Sequence, residues 1–253
     1  MKCTRSLLLT GLLLAPLGPG AAATLDRYDD LLGRYVEGKL VRYDAWRDNA
    51  PDREALAQIV AAFEATGPTS LAASERYALY INLYNAKTLQ LVLDGNPEDS
   101  IRDLSKAKFG FGVFFKKSID FDGESISLNA LEKRLREESG DARVHFAVNC
   151  ASLSCPALLG EAFRGELLEE QLEKQSFAFL ERDDALRFEE RPTGAPVVRL
   201  SKIFDWYAKD FGGPKGVRRF VRDYAPDRFH TLLAGGGFRI AHMDYDWRLN
   251  RAE

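Results

Sequence analysis

Three features of the chain predict an α+β fold, a single domain in which helices flank short antiparallel hairpins and a central strand. Apolar residues recur at helical spacing in long segments near the start and again near the end. Two pairs of short alternating runs enclose turn residues, Asp122-Gly123 in one and Pro192-Thr193-Gly194-Ala195-Pro196 in the other. Between them, Val144-His145-Phe146-Ala147-Val148 is a short apolar run ended by a polar turn, the pattern of a buried strand.

In the first helix, Leu25, Tyr28, Leu31, Leu32, Tyr35 and Val36 fall on one face, and Gly38 ends it. Leu40 to Tyr43 is a short extended link. Pro51, Asp52 and Glu54 open a second helix, which runs to about Thr66. A long, largely buried helix spans Ser74 to Leu93 and stops at Gly95-Asn96-Pro97. Within it, Asn82 and Asn85 lie three apart on one side. Buried amides need partners, so they either bond a neighbouring loop or face a site. Phe109 to Phe115 reads as an aromatic loop or edge strand. The hairpin Lys117–Phe121 and Glu124–Ser127 follows, its Asp-Gly turn matching the mirror-image turn that hairpins favour. Ser127 caps the next helix, with Glu132 in its first turns. A helix covers roughly 165–180, and the second hairpin pairs Ala185–Phe188 with Val197–Leu200. Ser201 begins a helix crowded by Ile203, Phe204, Trp206 and Tyr207. After Gly212-Gly213-Pro214, helical spacing resumes at Val217, Phe220 and Val221. Phe238–Ala241 reads as a last strand, and Tyr245-Asp246-Trp247 as an aromatic tail packing back.

The bulk numbers exclude several functions. The chain has 253 residues, 45% hydrophobic and 29% charged, with both signs mixed along it and a formal charge of −3. That is the composition of an ordinary globular protein, with no basic arm or aromatic-basic stripe for nucleic acid. Lys2 and Arg5, the apolar run Leu7–Leu14 and Ala21-Ala22-Ala23 have the order of an export signal cleaved after Ala23. Pro16, Gly18, Pro19 and Gly20 argue against a buried helix there. Residues 1–23 are therefore read as signal and 24–253 as one domain, periplasmic or secreted, with no transmembrane segment once the signal is gone. Cleavage takes two positive charges off the formal −3, leaving −5, and removes Cys3, so that Cys150 and Cys155 remain.

The chemistry concentrates in His145 to Pro156. A strand there puts His145, Ala147 and Asn149 on one face and Phe146, Val148 and Cys150 on the other. Several stretches in this order resemble the domain-of-unknown-function 547 family: Tyr80-Ile81-Asn82-Leu83-Tyr84-Asn85-Ala86, Ser127 to Glu132, His145-Phe146-Ala147 with Cys150 and Ser154-Cys155-Pro156, and Leu200 to Tyr207. The ending Tyr245 to Asn250 fits bacterial members. The chain departs at Ala151, where the family tends to have glycine, and at Ala157. The resemblance implies a globular domain containing helices and strands and brings no activity with it. The family also includes intracellular proteins, which sits less easily with a purely disulfide role for the cysteines.

Three chemistries compete for the segment. In the first, Cys155 is the nucleophile of a hydrolase or transferase acting on acyl or amide bonds. His145 is then its base, oriented by Glu132, Asn82 or Asn85, and Asn149, Cys150, Ser152 and Ser154 line the binding site for a small-molecule or peptide ligand. On the strand reading Cys150 points into the core and is inert. In the second, Cys150 and Cys155 form a disulfide, either structural or, if exposed, redox-active, in a non-catalytic binding or structural domain. In the third, His145, Cys150 and Cys155 hold zinc, with Glu132 or water as a fourth ligand. That spacing matches no familiar zinc module, and the working expectation is no cofactor.

Overall fold

The computed structural model describes residues 19–105, 112–189, 194–234 and 237–252. Most of the expected export signal, residues 1–18, lies outside them, as do residues 109–111 of the aromatic stretch. The first helix, α1, covers Pro19–Tyr35 and begins earlier than the sequence suggests. Pro19 occupies its first position, where a missing N–H is no loss, so it starts the helix instead of breaking it. A two-residue hairpin, Val36–Glu37 with Leu40–Val41 (β1 and β2), leads into α2, Tyr43–Asp48. Helix α3, Ala50–Glu64, is capped by the Asn49 side chain, which accepts from Asp52 N–H. Helix α4, Ala73–Gly95, ends with Asn96 in the left-handed region at φ 42°. Residues 112–115 form one helical turn, α5, not an edge strand.

Strands β3 (Lys117–Phe121) and β4 (Glu124–Ser127) pair antiparallel as expected, and Asp122 and Gly123 both have positive φ. Ser127 then caps α6, Leu128–Ser139, by accepting from Ala130 N–H. Helix α7 is Leu168–Leu180. The second hairpin is β5 (Leu186–Glu189) with β6 (Val197–Leu200), and β7 (Arg239–His242) joins β6 in parallel, making a mixed sheet of three. Between β6 and β7 lie α8 (Ile203–Trp206), α9 (Gly213–Tyr224) and α10 (His230–Ala234). The fold is thus α+β. Among the described residues no helix is long and apolar enough to cross a membrane.

Two apolar clusters make up the core. One joins α1, α2, α3, α4, α6 and the β3–β4 hairpin, through residues such as Leu31, Trp46, Ile59, Ile81, Ile119 and Leu131. The other lies against the three-stranded sheet, with Phe179, Leu186, Val198, Phe204 and Val221. Val144 and Ala147 belong to the first cluster and Phe146 to the second, so the segment containing His145 runs along their seam.

The expected central strand is absent: residues Ala142–Phe146 form a 3-10 turn, capped by Asp141 accepting from Arg143 N–H. The reason is visible in where the backbone groups go. The Phe146 carbonyl accepts from Gln175 (3.3 Å) and the Ala147 carbonyl from Asn85 (2.9 Å), while Asn149 N–H donates to Asn85 Oδ1 (2.8 Å). Side-chain amides of two helices supply the partners that a neighbouring strand supplies in a sheet.

Candidate functional site

The turn after His145 is built by buried polar side chains. Asn149 accepts from Ala151 N–H (2.8 Å) and donates to the Pro156 carbonyl (2.7 Å), closing the loop on itself. Ala151 is fully buried and left-handed at φ 60°, a conformation glycine adopts more cheaply. Arg182 holds the far side, donating to the carbonyls of Leu153 (2.9 Å) and Cys155 (2.5 Å). The tail packs back as expected. Leu153 N–H donates to the Arg248 carbonyl, Asp246 N–H to Ser154 Oγ, and Asn250 N–H to the Ala151 carbonyl. Tail, helices and loop therefore fix the segment from three directions.

The loop and its neighbours enclose a cavity of ≈ 310 Å3. Cys150, Cys155, His145 and Glu132, four of the residues singled out from the sequence, line it together. Cys150 and Cys155 are joined as a disulfide, their Cα atoms 6.2 Å apart, inside the usual range for such a bridge. Cys155 is 4% exposed, while Cys150 is half-buried and faces the cavity instead of the core. The 3-10 turn replaces the strand alternation on which the opposite arrangement rested. Cys155 Sγ receives the Cys150 N–H (2.9 Å) and the Tyr245 hydroxyl (3.2 Å). The Cys150 sulfur lies 3.2 Å from Ser152 Oγ and 3.4 Å from the same tyrosine oxygen.

His145 is almost fully buried, between the rings of Tyr207 (4.0 Å) and Phe211 (5.8 Å). Its Nε2 is 2.9 Å from Asp210 Oδ2. Arg136 also approaches that oxygen, at 3.2 Å, in an ion-pair contact without hydrogen-bond geometry at its Nε, and its guanidinium lies 4.8 Å over the Tyr207 ring. Burial pushes the imidazole below its ordinary value, Asp210 pulls it back up, and Arg136 adds to the lowering. Glu132 hydrogen-bonds Tyr207 instead of His145. Burial raises its carboxyl, against the lowering by Tyr207 and Arg136.

The remaining expected site residues are spent on architecture. Asn82 bonds both backbone groups of Phe163, at 2.8 and 2.9 Å, and lines a separate small cavity near α1. Asn85 holds the central segment and does not line the large cavity. Ser152 donates to the Tyr245 hydroxyl, and Ser154 holds the tail. The geometry does not gather a zinc set: among the described residues no group of three His, Cys, Asp or Glu side chains is placed to hold a metal ion. Sequence reasoning missed Asp210, Tyr207 and Tyr245 as members of the site. It also passed over Asn129, although Asn129, Glu132 and Arg136 recur at helical spacing of three and four on α6, which marks one face.

A buried histidine kept neutral makes folding depend on pH. Its folded value is below the unfolded one, near 6.5. Between those values the unfolded chain binds more protons, so stability rises with pH across that window and falls as pH drops below about 6.5. Between pH 7.5 and 5, the urea midpoint of the wild type is expected to fall further than that of His145→Gln. Equal losses would mean that His145 contributes nothing to the dependence.

Residues 68–180 match the family described as protein of unknown function, DUF547. This segment is similar to the DUF547 family. It carries both asparagines, the capped helix with Glu132, and the His145 to Pro156 loop, whereas Asp210, Tyr207 and Tyr245 come from beyond it. Searches of curated proteins and of solved structures found no match.

Proposed function

We propose that this protein is a cysteine-dependent thiol–disulfide oxidoreductase whose chemistry is exchange at Cys150–Cys155, acting on a thiol or disulfide group of a small molecule or peptide. The observation that carries this reading is the pair of donors on Cys155 Sγ, a backbone N–H and the Tyr245 hydroxyl. Donors on a sulfur favour its thiolate, and a sulfur that leaves readily as thiolate speeds exchange. Cys150, the half-buried sulfur facing the cavity, is the one an incoming thiolate attacks. The Cys150–Cys155 bond breaks, Cys155 departs as thiolate, and the substrate is left joined to Cys150. A second substrate thiolate then displaces Cys150. The substrate is thereby oxidised to a disulfide and the protein is reduced to a dithiol, its two thiolates taking up the two protons that the substrate thiols lose. A low-molecular-weight disulfide regenerates the oxidised protein by the reverse steps.

The test is stoichiometric exchange in the folded state. Oxidised protein mixed with a dithiol peptide and no other oxidant is expected to convert one equivalent of peptide while its far-ultraviolet dichroism stays unchanged. A bridge that reacts only in denaturant is structural, and the reading fails.

A second reading, acyl or amide transfer with Cys155 as nucleophile in the reduced protein and His145 as base, draws on both residues lining one cavity and on Asp210 orienting the imidazole. Neither sulfur has His145 among its hydrogen-bond partners, which is why exchange is preferred. Export to an oxidising compartment fits a persistent disulfide. Described residues 20–23 of α1 are exposed or half-buried, and the first buried side chain among the described residues is Leu25, so cleavage after Ala23 takes no buried side chain from the described part of the chain. An exported protein beginning near Thr24 supports this, and an intact Met1 opposes it.

A further inference from the structure

The wall of the cavity has a chemistry that sulfur exchange does not require. Trp206, Tyr245 and Trp247 form a cluster, with ring centroids 4.9 Å (Trp206–Tyr245), 6.0 Å (Trp206–Trp247) and 4.6 Å (Tyr245–Trp247) apart. All three line the cavity, as do Tyr84, Tyr207 and Phe114. Trp206 is 48% exposed and Phe115, also on the lining, 62%. Trp206 and Phe115 are thus large aromatic side chains left partly open to water beside a cavity, and exposed apolar surface of that kind marks ligand sites.

Charge narrows the choice of ligand. Among the described residues, Glu132 is the one lining side chain that carries a formal charge once His145 is neutral, and no lysine or arginine lines the space. Asn129, one helical turn before Glu132 on α6, adds an amide at the same wall. Two guanidiniums outside the lining, Arg136 over Tyr207 at 4.8 Å and Arg102 over Trp247 at 5.3 Å, show two of these rings already meeting cations through their faces. Burial, with a smaller push from the Asp210 charge, outweighs Tyr207 and Arg136 in its effect on the Glu132 carboxyl, so its present partners leave the carboxylate incompletely compensated.

We infer that the cavity binds an organic cation, a quaternary ammonium group set among the aromatic rings with its charge toward Glu132. Ring faces carry negative potential and attract such a group most strongly when it sheds water, as it does here. In the exchange reaction this makes the preferred substrate a thiol or disulfide bearing a cationic group near the sulfur. The inference rests on the cavity being the ligand site, but not on the sulfurs being reactive.

The experiment is a tryptophan-fluorescence titration of the full oxidised protein, and of a Cys150→Ser, Cys155→Ser double variant. The probes are choline, benzyltrimethylammonium and 3,3-dimethyl-1-butanol, the last having the shape of choline without its charge. Both cations are expected to give saturable changes, with the neutral isostere at least about tenfold weaker. Glu132→Gln is expected to weaken choline about tenfold and to leave the isostere unchanged. Equal binding of the isostere, or no saturable response to either cation, overturns the inference. Cation binding by the double-serine variant together with failed exchange by the wild type would retain the ligand class and remove only the exchange reading.

Discussion

Replacing Asn85 with leucine is expected to destabilise the protein by about 3 kcal/mol, since burying an unpartnered backbone group costs roughly 1–3 kcal/mol and two such groups are left. The two are the Ala147 carbonyl and the Asn149 N–H, now bonded at 2.9 and 2.8 Å. In a chain of this size that corresponds to a fall in Tm of roughly 10 °C. Asn82→Leu is the matched control, because it orphans both backbone groups of Phe163, which lies outside the His145 to Pro156 loop and on the separate small cavity. Both variants should lose stability, and only Asn85→Leu should also change the reactivity of Cys150 and Cys155. A Tm within about 2 °C of wild type for Asn85→Leu would show that another group takes over the clamp.

Tyr245→Phe is expected to affect chemistry more than stability. The hydroxyl donates to Cys155 Sγ at 3.2 Å, and the backbone N–H of Cys150 remains when it is gone. A hydrogen bond to a charged group is worth about 1.5–3 kcal/mol, so the Cys155 thiol of the reduced variant should titrate roughly one to two units higher. Because a poorer leaving thiolate slows exchange, reduction of the bridge by a small thiol should be roughly threefold to tenfold slower. Thiolate absorbance against pH gives the first quantity and stopped-flow reduction the second. An unchanged titration would remove Tyr245 from the mechanism.

The elements that could be read in the sequence are those with strong local signals. Asp122-Gly123 between alternating runs specified the first hairpin, and Ser127 specified the start of α6, because turn and cap chemistry act over a few residues. The His145 to Pro156 segment was recognisable as chemically rich, but its backbone was not. Val144 to Val148 has the composition of a strand, yet its carbonyls are taken by Asn85 and Gln175, which lie 62 and 29 residues away along the chain from their partners. No local pattern encodes that. The error carried over to the cysteines, since strand alternation placed Cys150 in the core and the observed turn places it on the cavity. Asp210, 65 residues from His145, was equally out of reach, because a carboxylate in a loop has no spacing that ties it to a histidine elsewhere.

The central claim is that Cys150 receives the incoming thiolate and Cys155 leaves. Oxidised wild-type protein should be exposed to a small monothiol at neutral pH, treated at once with iodoacetamide to block the released thiol, and digested for mass spectrometry. The account predicts the monothiol on Cys150 and the alkyl group on Cys155, following the half-buried Cys150 on the cavity and the two donors on the buried Cys155 sulfur. The reverse labelling, or a bridge left intact until the protein is denatured, would contradict it.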